Sequence, residues 1–598
     1  MNKKWANVCQ RAAKALDGLV WEKGFVVTDA PGHTREAAQC ARTHSGRTTS
    51  ERYCLARLLG KRSQEQGLET LQALESLQVT EGMDNPQALP RLDAGSQAGA
   101  FRWYAEETRI WDTNAAFFIC MPLILHRLLV PDIFSESETQ RIDAMLSRAG
   151  NWFYHECEHA IYYYSNKILS DGAALCGIAY LTKNEKYRQM AVQFFQKWLD
   201  YTKKRGWGWG ENLSLGYNGV IFPALRVAES TIGDAAIAEQ LRSILEEQKR
   251  LFRFYDGHEL VPTIRSYNYG GDAERTSLVF NLAGVPGNGL DVAGEYSDLF
   301  CAFADELYED DAALYASGKY CPVSAPRERK TRIFDGVYAD SWYGEHGGIG
   351  SLNAFPVISG TDCNVGWGLG WQSMPVSFVI YGCQTGYLRF YVDDGECVRA
   401  HPKRNYLSPE LFPGKILPRV TTRSGQSASA VLTVRAIDRL RNRAREVADE
   451  YYVPRFDGAL YETSANGRPF IALLYQHATV VIGALLGIAY DGARRQQKLE
   501  VCKEADALRI RQILYQGQTQ LLEADRLESA WLTVYIDRAM AAQEAEDFIR
   551  NLRISDVAWS DGQEPRANWA LLRSVCVEGN GISAHLETDP YRFPGGNN

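Results

Sequence analysis

The chain has 598 residues, enough for two or three domains with sizeable cores. A hydrophobic share of 45% and a charged share of 23% are those of a soluble globular protein, and a net charge of -8 argues against nucleic acid as the main partner. Aromatic residues reach 11%, with 14 Trp and 31 Tyr, which favours a carbohydrate-type surface over a nucleotide one.

Met1 to Leu19 carries Lys3, Lys4, Trp5, Arg11 and Lys14 and has no apolar core segment, so no secretory signal is read there. The expectation is a cytoplasmic protein, or a secreted or periplasmic one that has lost its leader. Thirteen cysteines are scattered without a CxxC pair, which predicts reduced, buried thiols. The most apolar long stretch, Phe470 to Tyr490, holds Gln476 and His477 and reads as strands, so no membrane partner is expected.

Helical signals dominate residues 1–320. Thr49 and Ser50 are candidate caps of a helix running through Leu58. Ser135 and Glu138 form a capping box, followed by Ile142, Met145, Leu146, Ala149 and Phe153 at helical spacing. Asn184 opens a helix with the stripe Tyr187, Met190, Ala191, Phe194, Phe195, Trp198 and Leu199. Asp234 caps another with Ile237, Leu241, Ile244, Leu245 and Leu251 inside. Short polar turns join these helices, with no strand runs between them. Antiparallel helix pairs in series form a solenoid or a toroid, and the lack of a fixed-period motif favours the toroid.

A linker is placed over residues 321–335, where Pro322, Pro326 and a run of charges stand. Strands follow over residues 336–598. Tyr387 to Val392, Ala430 to Ile437 and Ala530 to Ile536 alternate, and Asn466-Gly467 and Asn580-Gly581 are hairpin turns. The predicted fold is therefore multidomain α and β: an N-terminal (α/α) toroid, an incomplete helical barrel, then a C-terminal antiparallel β-sandwich. Arg435, Arg439, Arg441, Arg443 and Arg445 read as a solvated basic face between strands.

Several segments of the helical half hold polar and aromatic residues that helix packing does not need. One is Trp207-Gly-Trp-Gly-Glu211-Asn-Leu-Ser-Leu-Gly-Tyr217-Asn-Gly219. Its flat aromatics beside polar groups suit sugar rings, and its glycines let backbone approach a ligand; a buried aromatic loop is the plainer alternative. A helix is read from Val220 onward. Another segment is Trp111-Asp112-Thr113-Asn114, where Asp112 or Thr113 serves equally well as a helix cap. A third is Asn166-Lys167, ahead of a run rich in small residues; Asn166 too could be a cap. Arg265-Ser-Tyr-Asn-Tyr269-Gly-Gly271 offers Arg265 as a carboxylate fork and Tyr269 as an aromatic contact, or is a loop tying down the last helices. Trp342 to His346 and Asp362 to Trp371 are Trp- and Gly-rich, and read as a cleft lip or as core and turns.

Taken in this order, the segments resemble polysaccharide lyases of the heparinase, alginate-lyase and chondroitin-lyase superfamily, with a helical toroid followed by a β-sandwich. The resemblance rests on Trp111 to Asn114, on Ser165-Asn166, and on Glu211 through Tyr217-Asn218-Gly219. It implies an enzyme without a required cofactor, acting on an acidic polysaccharide or oligosaccharide. In it Asn166 neutralises the uronate carboxylate, Tyr217 is the catalytic acid or base, and Trp111, Asp112, Asn114, Lys167, Trp207, Trp209, Arg265 and Tyr269 hold the sugar. Such enzymes often place a histidine directly after the asparagine, where this chain has Lys167. His159 stands seven residues earlier as a candidate for that role.

The residue types fit the chemistry. Proton loss alpha to a carboxyl needs the carboxylate neutralised, which an amide does. A phenol can act at this step if nearby cations lower its pKa from about 10. A second reading is a glycoside hydrolase with Glu211 and Asp112 as its carboxylate pair. A third is a non-catalytic glycan-binding protein. His155-Glu156-Cys-Glu-His159 also matches HExxH literally, which leaves a zinc peptidase or a structural metal at His155 and His159 as a weaker option. The sequence says nothing of oligomeric state.

Overall fold

A computed structural model of the protein describes residues 13, 16–80, 98–162, 164–205, 211–255, 260–263, 326–334, 337–352, 376–381, 384–393, 395, 398–400, 414–422, 427–436, 443–488, 499–505, 507–521, 528–557 and 574–587. The chain divides into two compact units. The first takes its described residues from Met1–Lys204 and Tyr217–Gly257, the second from Arg205–Gly216, His258–Arg275 and Lys319–Asn598.

The first unit is built from eight described helices: α1 (Gly46–Leu58), α2 (Gln64–Leu77), α3 (Ala115–Leu129), α4 (Glu136–Glu158), α5 (Ser165–Thr182), α6 (Glu185–Lys204), α7 (Leu215–Thr231) and α8 (Ala235–Tyr255). They fall into two kinds. Helix α3 buries residues 115–117 and 119–126, and α5 buries all of residues 165–179. A helix buried all round belongs to an inner layer. Helix α6 instead buries one stripe, Ala191, Phe194, Phe195, Trp198, Leu199 and Thr202, as an outer helix does. This is the layering of an incomplete (α/α) toroid.

Local signals set the helix starts. The Ser135 hydroxyl accepts from the Glu138 N–H, and the Glu138 carboxylate accepts from the Ser135 N–H at 2.9 Å. Glu138 is fully buried and also accepts from the Tyr53 hydroxyl at 2.9 Å and from Arg57 at 2.8 Å. Asp234 accepts from the N–H groups of Ala236 and Ile237, both at 3.0 Å. The start of α1 differs from the expectation, since its cap is Ser45. Thr49 and Ser50 lie inside the helix and reach across it: Thr49 Oγ1 accepts from Val26 N–H, and Ser50 Oγ donates to the Ile119 carbonyl. A small sheet of β1 (Trp21–Glu22), β2 (Phe25–Thr28) and β3 (Thr43–His44) precedes the helices. The sequence reading has no strands there, because strands of two and four residues are too short to show a clear alternation.

His126, near the end of α3, is 2% exposed, and its Nδ1–H donates to the Pro122 carbonyl at 2.7 Å. Burial pushes its pKa down to about 4, with the Pro122 carbonyl opposing. The folded value lies below the ordinary one of about 6.5, so the unfolded chain binds the proton first. The stability tied to neutral His126 is therefore complete above about pH 6.5 and is lost as pH falls towards 4, by about 3 kcal/mol. His126→Gln keeps a donor for Pro122 and shows a shallower acid limb in denaturant unfolding between pH 7 and 4.5. Parallel acid limbs in the two proteins would refute this account.

The second unit is an antiparallel sandwich. One sheet orders β16 (Glu500–Lys503), β17 (Ala507–Leu521), β12 (Arg443–Pro454), β8 (Gln384–Asp393), β7 (Val376–Ile380), β6 (Gly347–Leu352), β5 (Val337–Tyr343) and β4 (Arg327–Phe334), with β9 (Val398–Ala400) on β8. The other orders β10 (Gly414–Thr422), β11 (Ser427–Ala436), β18 (Glu528–Ile536), β15 (Thr479–Ile488), β14 (Arg468–Leu474) and β13 (Ala459–Ala465). Trp342, Ile349, Phe378 and Tyr451 of the first sheet meet Ile471, Val480, Ile482 and Trp531 of the second in one core. The far face of the second sheet is covered by α9 (Ala542–Arg550) and by β19 (Arg553–Val557), β20 (Ser574–Gly579) and β21 (Ile582–Glu587), through Ala545, Ile549, Val575 and Val577.

Both predicted hairpins are present. Asn466 and Gly467 have φ of 49° and 72°, Asn580 and Gly581 of 49° and 78°, the left-handed values such two-residue turns need. Part of the expected linker is a strand: Arg-Glu-Arg-Lys-Thr-Arg-Ile-Phe over Arg327–Phe334 forms the edge strand β4. Charge along an exposed edge discourages further pairing, which is why it resembled a connection. Helix α9 was also not foreseen. Among the described cysteines Cys54, Cys120, Cys157 and Cys176 are buried, whereas Cys40, Cys502 and Cys576 are half-buried. Among the described residues no helix is long and apolar enough to cross a membrane.

Candidate functional site

Three observations fix how α3, α5 and α7 run. At one end, Asn114, just before α3, donates from Nδ2 to the hydroxyl of Tyr164, just before α5, at 3.2 Å. At the other end, a Cβ on Gly177 of α5 would stand 2.5 Å from Ile124 of α3 and 3.5 Å from Val227 of α7. Gly233, in the turn after α7, lies against Arg188 in the first turn of α6, so α7 ends where α5 ends and α6 begins. The three helices are therefore parallel, and their starts share one end. Asn166 and Tyr217 stand eleven and ten residues before Gly177 and Val227. At 1.5 Å per residue each lies roughly 15 Å back along its axis from that contact.

Asn166 is the second residue of α5 and is 7% exposed; the residue before the helix is Tyr164, so Asn166 is not the cap. Tyr217 is half-buried in the first turn of α7, which starts at Leu215 and not at Val220 as expected. Its neighbour Asn218 is fully buried and accepts from Gln248 Nε2 of α8 at 3.0 Å, which locks the register of that turn.

At the mouth of α3 the residue before the helix is Asn114, with no side-chain capping bond. Asp112 accepts from the Asn114 N–H at 2.9 Å, and its other oxygen meets His33 Nε2 at 3.2 Å. His33 Nδ1 in turn meets the Tyr104 hydroxyl at 2.9 Å. His33 was not singled out in the sequence, since nothing local marks it. Asp112 is thus committed to holding the mouth in shape, which weakens it as one of a hydrolase pair.

Lys167 does not offer its charge to a ligand. It is 6% exposed, and its ammonium sits 2.6 Å from Glu156 and 2.6 Å from Asp171. Burial alone would lower its pKa, but the Asp171 and Glu156 carboxylates outweigh this and hold it above the usual lysine value. Lys167, expected among the residues that hold the sugar, is thus already paired with two carboxylates.

The same pairing disposes of the peptidase pattern. Glu156, which would be its general base, points inward to Lys167 and is 4% exposed at the side chain. His159 closes the last turn of α4 from outside the helix, with its N–H on the His155 carbonyl at 3.1 Å, and is 56% exposed. His155 and His159 both neighbour Glu158, at 3.7 and 3.6 Å. Among the described residues no three His, Cys, Asp or Glu side chains gather as metal ligands.

Glu211 belongs to the second unit, as do the residues after it up to Gly216. It is 1% exposed. The Leu213 carbonyl accepts from Thr263 Oγ1 at 3.0 Å, and the Val261 N–H donates to the Tyr343 hydroxyl of β5 at 3.1 Å. A Cβ on Gly350 of β6 would collide with the Val261 backbone. The segment around Val261 therefore crosses that face of the larger sheet, which requires glycine there. On the same sheet Glu450, fully buried, holds Arg389, Arg509 and Arg511. Strand register alone brings these four together, so the sequence did not show them. Gly344 to Gly347, in the stretch expected as lip or turn, is a turn whose Glu345 and His346 N–H groups donate to Asp537. Trp207, Trp209, Arg265, Tyr269 and Asp362 to Trp371 lie outside the described residues.

No protein-family model and no curated protein matches the chain. Among solved structures it is similar to the crystal structure of heparinase III, with a TM-score of 0.45 and 10% identity over 98% of this chain and 91% of that one. It is also similar to heparan sulfate lyase HepC from Pedobacter heparinus, with a TM-score of 0.32 and 10% identity over 100% and 90%.

Proposed function

We propose that the protein is a polysaccharide lyase that cleaves a uronic-acid polysaccharide or oligosaccharide by β-elimination. The observation that supports this most is the parallel run of α5 and α7, which leaves an amide, Asn166, and a phenol, Tyr217, in the first turns of helices that start at one end. Elimination needs those two groups. Asn166 donates to the uronate carboxylate and lets charge build on it as the alpha C–H bond breaks. The electron pair of that bond becomes the new C=C bond while the bond to the 4-linked oxygen breaks. Tyr217 serves as the acid or base, taking the alpha proton or giving a proton to the leaving oxygen. Asn114 and Trp111 are assigned to sugar contacts at the same rim. Trp207, Trp209, Arg265 and Tyr269 remain candidates for further contacts, and His159 for an auxiliary one.

The test is to incubate the protein with a panel of uronate polysaccharides and follow ultraviolet absorbance and reducing ends together. Both rise for a lyase, because elimination leaves a double bond conjugated to the carboxyl. Reducing ends that appear without absorbance would make the protein a hydrolase. Binding without either product would make it a glycan-binding protein.

A further inference from the structure

We infer that Arg35 and Arg109, both stacked on Trp111, form an oxyanion clamp at the rim of α3 that grips a charged group on the sugar chain. The clamp deepens the lyase reading and rests on it for the identity of the chain. The Arg35 and Arg109 guanidiniums lie 5.3 and 4.7 Å from the centre of the Trp111 indole, so one ring holds both charges. The two short segments that carry them are stitched together on both sides. Glu36 accepts from Thr108 N–H at 2.6 Å and from Thr108 Oγ1 at 2.7 Å, and His33 meets Asp112 at 3.2 Å.

Most arginines of this unit that the structure describes are spent on carboxylates: Arg42, Arg57, Arg127, Arg141 and Arg148 each reach one. Arg35 and Arg109 reach none within 4 Å among the described residues. The Glu36 carboxylate, whose pKa is lowered by Thr108 and to a lesser extent by the Arg109 charge, has its oxygens on Thr108. Arg35 is exposed and Arg109 half-buried, so their forks are open to a ligand. Arg109 and Trp111 stand five and three residues before Asn114, whose amide meets Tyr164 at the start of α5, and Arg35 joins them through the Trp111 ring. Guanidinium forks match the paired oxygens of a carboxylate or a sulfate equally well. Trp111 then serves the sugar contact assigned to it by holding the two arginines in place.

The experiment titrates the full-length protein by calorimetry with polymannuronate, which carries only carboxylates, and with dextran sulfate, which carries only sulfates, at two salt concentrations. Arg35→Gln and Arg109→Gln each weaken binding about 10-fold, and the double variant about 100-fold with a shallower salt dependence. The polymer whose affinity falls names the oxyanion. Arg35→Lys/Arg109→Lys keeps the salt dependence but not the affinity, because the fork is gone. Trp111→Phe keeps most of the affinity, while Trp111→Ala behaves like the double glutamine variant. Arg35 is on the surface, so its single variant folds and carries the test if the double does not. Unchanged affinity and salt dependence in the glutamine variants overturns the clamp. So does wild-type protein that binds neither polymer, or binds duplex DNA as tightly as either. Absorbance is followed separately over the uronate panel: a wild-type protein that makes no unsaturated product there, while its glutamine variants lose affinity for polymannuronate or dextran sulfate, sinks the lyase reading and leaves the clamp standing.

Discussion

Tyr217→Phe lowers turnover about a thousandfold or more, with the melting temperature unchanged within error. The magnitude follows from the role. A positioned acid or base contributes about 10²- to 10⁴-fold, and elimination needs one at the proton and one at the leaving oxygen. The fold survives because the ring stays and only the hydroxyl goes. The turn that carries it is held by Asn218 through Gln248, neither of which is altered. In the proposed role the phenol acts in the transition state, so kcat falls while KM stays close to its wild-type value. Asn166→Ala is the companion: it too lowers kcat, because in the proposed role the amide stabilises charge that exists only as the proton leaves. Steady-state rates from ultraviolet absorbance on the best uronate substrate decide the matter. A Tyr217→Phe protein that retains a tenth of the wild-type kcat would take the tyrosine out of the reaction.

What the sequence revealed, and what it hid, follows from the range of the interactions. Capping at Ser135 and Asp234 was legible because donor and acceptor are within three residues. The inner helices α3 and α5 were legible because burial on every side leaves long apolar or small-residue runs, Ala115 to Leu125 in α3 and Gly172 to Ala179 in α5. The hairpins at Asn466-Gly467 and Asn580-Gly581 were legible because few other pairs tolerate two positive φ values in a row. The start of α7 was misjudged because Gly216 and Gly219 stand in its first turns and look like loop. Thr49 and Ser50 looked like caps, yet their hydroxyls serve Val26 and Ile119 at a distance. His33 and Asp112 are 79 residues apart, and Arg389 and Glu450 are 61 apart. No local pattern carries such pairs; only the packing of helices or the register of strands creates them. Residue type and local context single out Asn114, Asn166 and Tyr217 in the sequence, and the parallel run of the helices puts all three near one end of the unit.

Lys167→Met is expected to destabilise the protein by about 3–5 kcal/mol at pH 7, a large part of the 5–15 kcal/mol typical of a folded protein. Methionine matches the length of the lysine stem, so packing against Trp152 is largely kept. The ammonium is lost, and Glu156 and Asp171, 4% and 1% exposed, are no longer opposed by it. Two carboxylates close together in a buried place then resist ionising together, and their folded pKa values rise above the unfolded ones. A carboxyl with a raised folded pKa costs stability above its unfolded pKa of about 4, so the deficit is greatest near neutral pH and shrinks as pH falls towards 5. The wild type behaves otherwise. Lys167 has a folded pKa above its unfolded one, so its contribution is complete below about pH 10 and fades only above that. Denaturant unfolding at pH 7 and pH 5 measures both effects. Replacing all three groups with apolar side chains of similar size recovers most of the loss, since a buried ionic cluster costs about as much to desolvate as it returns. A Lys167→Met protein within about 1 kcal/mol of wild type at pH 7 would mean the triad is solvated after all. Lys167 would then be available to a substrate at the start of α5.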